Sequence, residues 1–153
     1  MNQKHPPDLV SNRRASYDYE ILDTLESGIQ LLGTEIKSLR DHGGSLQDAY
    51  VDLKHNDAWL MQASIAPYRF GNIHNHEEKR PRKLLLHKRE LEQLRRQKAE
   101  KNLQIIPLAI YLNKKGIAKV RIAVAKGKKS YDKRAALKER EDARSVDRAI
   151  KDL

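Results

Sequence analysis

The chain has 153 residues, enough for one domain with tails. It carries 31 Lys and Arg against 21 Asp and Glu, a net charge of +10, and only 5% aromatic residues. The lack of cysteine excludes a disulfide scaffold, and the lack of any apolar run of about 18 residues excludes a helical membrane span. Such an excess of positive charge attracts polyanions, so nucleic acid, an anionic membrane surface and an acidic protein are the candidate partners. The polar opening MNQKHPPDLV has no apolar signal core and predicts a cytoplasmic protein.

Residues 1–11, with Pro6-Pro7, read as a disordered lead. Tyr17, Tyr19 and Ile21 then alternate with Asp18, Glu20 and Leu22, the period of a half-buried strand. Ser27-Gly28 interrupts it, and residues 29–32 resume as a short strand bent at the glycine. Thr34 is a suitable N-cap, with Glu35 in the first turn, for a short helix over 34–42. That helix has Ile36 and Leu39 on an apolar face, Lys37 and Arg40 on a basic one, and Gly43-Gly44 as its stop. Residues 49–53 and 58–65 form a hairpin around Lys54-His55-Asn56-Asp57, in which Trp59, Met61, Ala63 and Ile65 share the core phase.

Residues 67–83 read as a long, mobile, basic loop, of a length that is uncommon unless functional. Helix formers dominate 88–101, with Leu91 and Leu94 inward. Residues 104–112 and 117–125 are the clearest strands, joined by a loop whose Gly116 supplies the positive φ of a bulged hairpin. Val120, Ile122 and Val124 face the core there, Lys119 and Arg121 face away, and Pro107 suggests an edge. From Lys126 onward there are ten Lys and Arg, six Asp and Glu and one aromatic, Tyr131. Such a tail buries too little surface to offset its ordering entropy, yet Ala143, Val146, Ile150 and Leu153 fall at helical spacing. It is expected to be disordered when free and helical on a partner. The fold class is therefore mainly β with flanking helices: a small antiparallel OB-like barrel over 12–125, a lead over 1–11 and a basic tail over 126–153.

Catalytic signatures are missing. His74-x-His76 with Glu77 and Glu78 is the one local cluster of metal-type ligands, and it lacks the i,i+4 helical pairing of metalloenzyme motifs. Neither a phosphate-binding P-loop nor G-x-S-x-G occurs, so a non-enzymatic binding protein without cofactor or metal is expected. Basic side chains cluster at Arg13-Arg14, Lys37/Arg40, 79–83, Lys119/Arg121 and 126–129, the spread charge that phosphate contacts require. One Phe and one Trp make a poor base-stacking platform, so recognition of folded RNA by backbone and shape fits better. Membrane binding is disfavoured, because no basic amphipathic segment carries bulky apolar residues.

Several blocks carry a resemblance. Asn12-Arg13-Arg14-Ala15, Tyr19-Glu20-Ile21, Leu25-Glu26-Ser27-Gly28 and Gly33-Thr34-Glu35-Ile36-Lys37-Ser38-Leu39-Arg40 come first. Arg82-Lys83-Leu84-Leu85-Leu86-His87 follows, then Gly127-Lys128-Lys129-x-Tyr131-Asp132-Lys133-Arg134 and Lys138-Glu139-Arg140-Glu141. In this order they resemble the small protein B family, the SsrA-binding or tmRNA-binding proteins of bacteria. The resemblance implies an OB-type barrel that binds the tRNA-like domain of tmRNA and serves the rescue of stalled ribosomes by trans-translation. It implies that the tail enters the empty mRNA channel, becomes helical near the decoding centre and meets small-subunit rRNA. Elongation factor Tu would be met only through the aminoacylated tmRNA.

Carried over by residue, Glu26 is an acceptor on the RNA-binding face, and Lys37, Ser38 and Arg40 are phosphate and sugar contacts. Leu85, Leu86 and His87 form a second patch, where family members often have Asn in place of His87. Arg13, Arg14 and Lys119 add basic RNA contacts. In the tail, Tyr131 stacks on an rRNA base, Asp132, Lys133 and Arg134 engage rRNA, and Gly127, Lys128, Lys129, Lys138 and Arg140 complete the ribosome-binding block. The alternative is another ribosome-associated OB-fold RNA-binding module, which would need neither the 127–134 block nor a helix-prone extension.

Overall fold

In the computed structural model the strongest alternating runs pair as one long ribbon. The structure describes residues 8–71, 75–100 and 103–128. In chain order the elements are β1 (Asp8–Ser11), α1 (Ala15–Asp18), β2 (Tyr19–Ile29), α2 (Gly33–Asp41), β3 (Gly44–Ser45), β4 (Tyr50–Lys54), β5 (Asp57–Met61), β6 (Ser64–Ile65), β7 (Arg82–Leu85), α3 (Lys88–Ala99), β8 (Leu103–Leu112) and β9 (Ala118–Gly127). Seven strands make one antiparallel sheet in the order β1-β8-β9-β2-β7-β5-β4, and β3 pairs with β6. β4, at one end of the sheet, packs back against β8 near the other, which curls the sheet into an OB-like barrel.

Ile105, Ile110, Val120, Ile122 and Val124 from the ribbon meet Leu39, Leu60, Leu84 and Leu94 in the core. Removing each such side chain from water contributes about 1.5–3 kcal/mol. On the opposite face of the ribbon Ala15 of α1 packs on Ile106, Ala123 and Ala125, and the small side chains of the two strand alanines let the short helix approach. That end of the outer face is covered, and the end bearing Lys119 and Arg121 is not.

The structure corrects several expectations. Residues 8–11 belong to an edge strand, not to a disordered lead: Val10 pairs with Ile110 and buries in the core. The Asn12 backbone N–H and side-chain amide extend that edge by donating to the Leu108 and Pro107 carbonyls at 2.8 and 3.0 Å. Pro107 marks a register shift, and β8 has neighbours on both sides, so the proline signals a bulge and not an edge strand. Tyr17 and Asp18 lie in one helical turn, after which β2 runs through Gly28 without a break. Thr34 is not the cap of α2; its hydroxyl hydrogen-bonds His76 Nδ1 at 2.8 Å. The helix start is secured by the Leu32 N–H, which donates to Glu35 Oε1 at 2.7 Å.

In the β4–β5 hairpin, His55 and Asn56 take the positive φ values of a two-residue turn, 50° and 63°. Ala58 and Leu60 face the core and Trp59 is half-buried on the other side. The expected phase fails because Gln62 adopts φ 63°, so Ala63 and Ile65 belong to a separate segment. The described part of 67–83 is pinned and is no free basic loop: Asn75 brackets the Tyr68 backbone, His76 is buried, and Arg82 opens β7. The barrel extends two residues past 125, since Lys126 and Gly127 still pair in β9 and the Lys128 N–H donates to the Asp18 carbonyl at 2.9 Å. Residues 129–153, 1–7 and His74 lie outside the described residues.

Candidate nucleic-acid interface

Strand β7 joins the end of β2 through Gly28↔Leu85 and Ile29↔Leu84, and just beyond it the Gln30 N–H donates to the Lys83 carbonyl at 2.9 Å. A Cβ at position 28 would stand 3.0 Å from the Leu85 Cβ, so glycine allows the close approach. Leu84 turns into the core while Leu85 stays 49% exposed. Two residues later His87 stands at the N-cap of α3, where its N–H donates to Glu90 Oε1 at 3.0 Å. On the other flank β9 sets Lys119 opposite Gly28. Five of the expected site residues, Glu26, Leu85, Leu86, His87 and Lys119, thereby line one open groove. Leu86 is partly buried against the core, whereas Leu85 and the 53%-exposed Ile117 present uncovered apolar surface.

Glu26 stands opposite Arg121 in the β2–β9 register. The Tyr111 hydroxyl donates to Glu26 Oε2, and the Arg121 guanidinium lies 5.2 Å from the Tyr111 ring centre. Burial, then the hydrogen bond to Glu26, pushes the Tyr111 pKa up to about 12, so the hydroxyl remains a donor at neutral pH. A carboxylate so held is an acceptor set between two cations, able to take a base amino group or a ribose hydroxyl while Lys119 and Arg121 take phosphate. Tyr111 was missed from sequence. The available signal was a phenol in a strand otherwise rich in apolar residues, because a buried hydroxyl needs a partner.

Other expected residues do not join the groove. Lys37 and Arg40 occupy the exposed face of α2, with the Lys37 ammonium 6.0 Å from the Tyr68 ring centre. Ser38 is a correction: it is fully buried and donates to the Ala66 carbonyl at 2.6 Å, so it anchors α2 and cannot reach a ligand. Arg13 and Arg14 sit where α1 begins, Arg14 3.9 Å from Asp18. The register places Tyr19 opposite Gly127 at that end of the ribbon and Gly28 opposite Lys119 at the other. At about 3.3 Å per residue the two ends are roughly 30 Å apart. Lys128 is fixed at the far end, its ammonium donating to the Ser16 carbonyl at 2.9 Å. Lys129, Tyr131, Asp132, Lys133, Arg134, Lys138 and Arg140 lie outside the described residues.

Arg82, expected in a basic loop, is fully buried. Its Nε donates to Glu35 Oε2 at 2.5 Å, and its terminal nitrogens donate to the carbonyls of Ala63 at 2.9 Å and Glu78 at 3.1 Å. Arg80 Nη2 donates to Glu35 Oε1 at 2.6 Å. Burial alone would raise the Glu35 pKa. Hydrogen bonds from Arg80 and the Leu32 N–H, with the Arg82 charge, outweigh it and hold the carboxyl below its usual range. Burial lowers the Arg82 pKa, and Glu35 counters that. The cluster ties α2 to the start of β7, the strand that carries Leu85. Among the described residues no group of three or more His, Asp or Glu could hold a metal ion, and no helix is long and apolar enough to cross a membrane.

Comparison with known proteins accounts for the arrangement. The family model for SmpB protein matches residues 9–152. An SsrA-binding protein of Protochlamydia amoebophila is 65% identical over 151 residues, covering 99% of this chain and 97% of its own. One from Chlamydia muridarum is 59% identical over 144 residues, covering 94% and 95%. A solved chain described as "tmRNA-SmpB: a journey to the center of the bacterial ribosome" superposes with a TM-score of 0.69 at 43% identity, covering 84% of this chain and 93% of that one. The fold and nearly the whole length are thus shared, and the chain belongs to the SmpB family.

Proposed function

We propose that the chain binds the tRNA-like domain of tmRNA (SsrA RNA) and delivers it to stalled ribosomes for trans-translation, catalysing no reaction itself. The observation that carries this reading is the meeting of Glu26, Leu85, His87 and Lys119 in one groove. Lys119 contacts phosphate, Glu26 accepts from a base amino group or sugar hydroxyl, His87 offers a hydrogen-bonding tip, and Leu85 with Leu86 forms the apolar contact. Lys37, Arg40, Arg13 and Arg14 are outer phosphate contacts. The names of the relatives, SsrA-binding proteins, and the tmRNA-SmpB structure support the same assignment.

The tail is the second functional part. Rooted at Gly127 and Lys128, far from the groove, it enters the empty mRNA channel and becomes helical near the decoding centre. There Tyr131 stacks on rRNA, while Lys129, Asp132, Lys133, Arg134, Lys138 and Arg140 engage the small subunit. Elongation factor Tu is met through the aminoacylated tmRNA, and the work is done in the cytoplasm. Truncation after Lys128 tests this division: tmRNA affinity should survive while tagging on stalled ribosomes is lost. A parallel fall in both would contradict it.

A further inference from the structure

Glu26 borders two concavities. One is the groove already described. The other, of about 360 Å³, shares Leu25 and Glu26 with it and is lined beyond them by Tyr111, Asn113, Lys114 and Arg121. We propose that this second concavity is an RNA subsite in which Lys114 and Arg121 hold backbone phosphates while Tyr111 fixes the Glu26 carboxylate between the two halves. The inference rests on the reading of the groove as the RNA site.

Three observations carry it. First, among the described residues neither Lys114 nor Arg121 is in an ion pair, so both charges remain available to an anion. Arg121 is instead held over the Tyr111 ring. Secondly, the hairpin carrying Lys114 is preorganised. Asn113 Oδ1 accepts from the Lys115 and Ile117 N–H groups, each at 2.9 Å, and Gly116 takes φ 77°. Thirdly, Tyr111 engages Oε2 of Glu26, which directs the carboxylate's remaining acceptor capacity to an incoming donor. Cations on both sides of one oriented acceptor suit a strand whose phosphates run past it and whose sugar or base supplies the donor. Tyr111 is then a positioning residue, and Lys114 and Arg121 are contacts.

The test uses the full chain, with an in vitro transcript of the tRNA-like domain as probe and ordinary tRNA as competitor. Tyr111→Phe keeps the ring and should weaken binding about tenfold, as expected for one charge-assisted hydrogen bond, and lower the preference over tRNA. Lys114→Ala and Arg121→Ala should each flatten the slope of log affinity against log salt by about 0.7–0.9. Glu26→Gln and Lys119→Ala probe the groove itself. If those two weaken binding while Tyr111→Phe, Lys114→Ala and Arg121→Ala match the parent, the subsite is overturned and the groove reading stands. Weaker binding with an unchanged salt slope in both the Lys114 and Arg121 variants also overturns it. If none of the five weakens binding, the groove reading falls with the subsite.

Discussion

Glu26 separates recognition from plain charge attraction. Replacing it by Ala raises the net charge by one, so attraction to a polyanion alone predicts tighter binding. A carboxylate that accepts from RNA predicts the reverse: Glu26→Ala should bind the tRNA-like domain less tightly in a filter-binding assay. Gly28 makes a related case. Its missing side chain lets Leu85 lie against β2. Gly28→Ala should displace Leu85 and weaken RNA binding, which binding and the Leu85 methyl shifts in an NMR spectrum would report together. Ser38 has the opposite character. Ser38→Ala leaves the Ala66 carbonyl without its buried donor and should cost about 1–3 kcal/mol in urea unfolding, while the folded variant binds RNA normally. The family resemblance named Glu26, Leu85 and His87 as candidates, and the charge pattern named Lys119. They did not distinguish exposed Lys37 from buried Ser38, because both sit in one block, 33–40, and only the tilt of α2 decides which faces in.

Among the elements, α2 and β7 depend on the cluster formed by Glu35, Arg80 and Arg82. Both Glu35 and Arg82 are fully buried, so Glu35→Gln strands a cation and should cost about 3–5 kcal/mol of stability. The pH dependence has a definite sign. The folded Glu35 pKa lies below its ordinary value of 4.5, so its contribution is present above that value and is lost as pH falls through the lower folded one. Denaturant titrations across that acidic range should therefore show the parent losing its advantage over Glu35→Gln. The ribbon of β8 and β9 was legible because Val120, Ile122 and Val124 keep period two and Gly116 marks the turn. α1 was not, since four residues are too few for a helical period. Trp59 was placed on the wrong face because Gln62 reverses the alternation, and an ordinary glutamine gives no warning of a positive φ.

For the whole molecule, the length of the ribbon is the governing dimension. It holds the groove at one end and Gly127 at the other, roughly 30 Å away, so a groove and a tail acting as proposed would meet different partners at once. The composition change near Lys126 set the expected start of a tail. It did not show that Lys126 and Gly127 are still paired or that Lys128 is tied to α1, since those contacts depend on register across the barrel. The meeting of Glu26 with Tyr111, 85 positions away, was hidden for the same reason. As proposed, this surface recognises a folded RNA and does not merely collect phosphate. The most direct test is a salt titration of the full chain on the tRNA-like domain of tmRNA with ordinary tRNA as competitor. A preference for the tRNA-like domain that persists at near-physiological salt is expected; equal affinity for both RNAs, falling steeply and in parallel as salt rises, would contradict recognition of the fold.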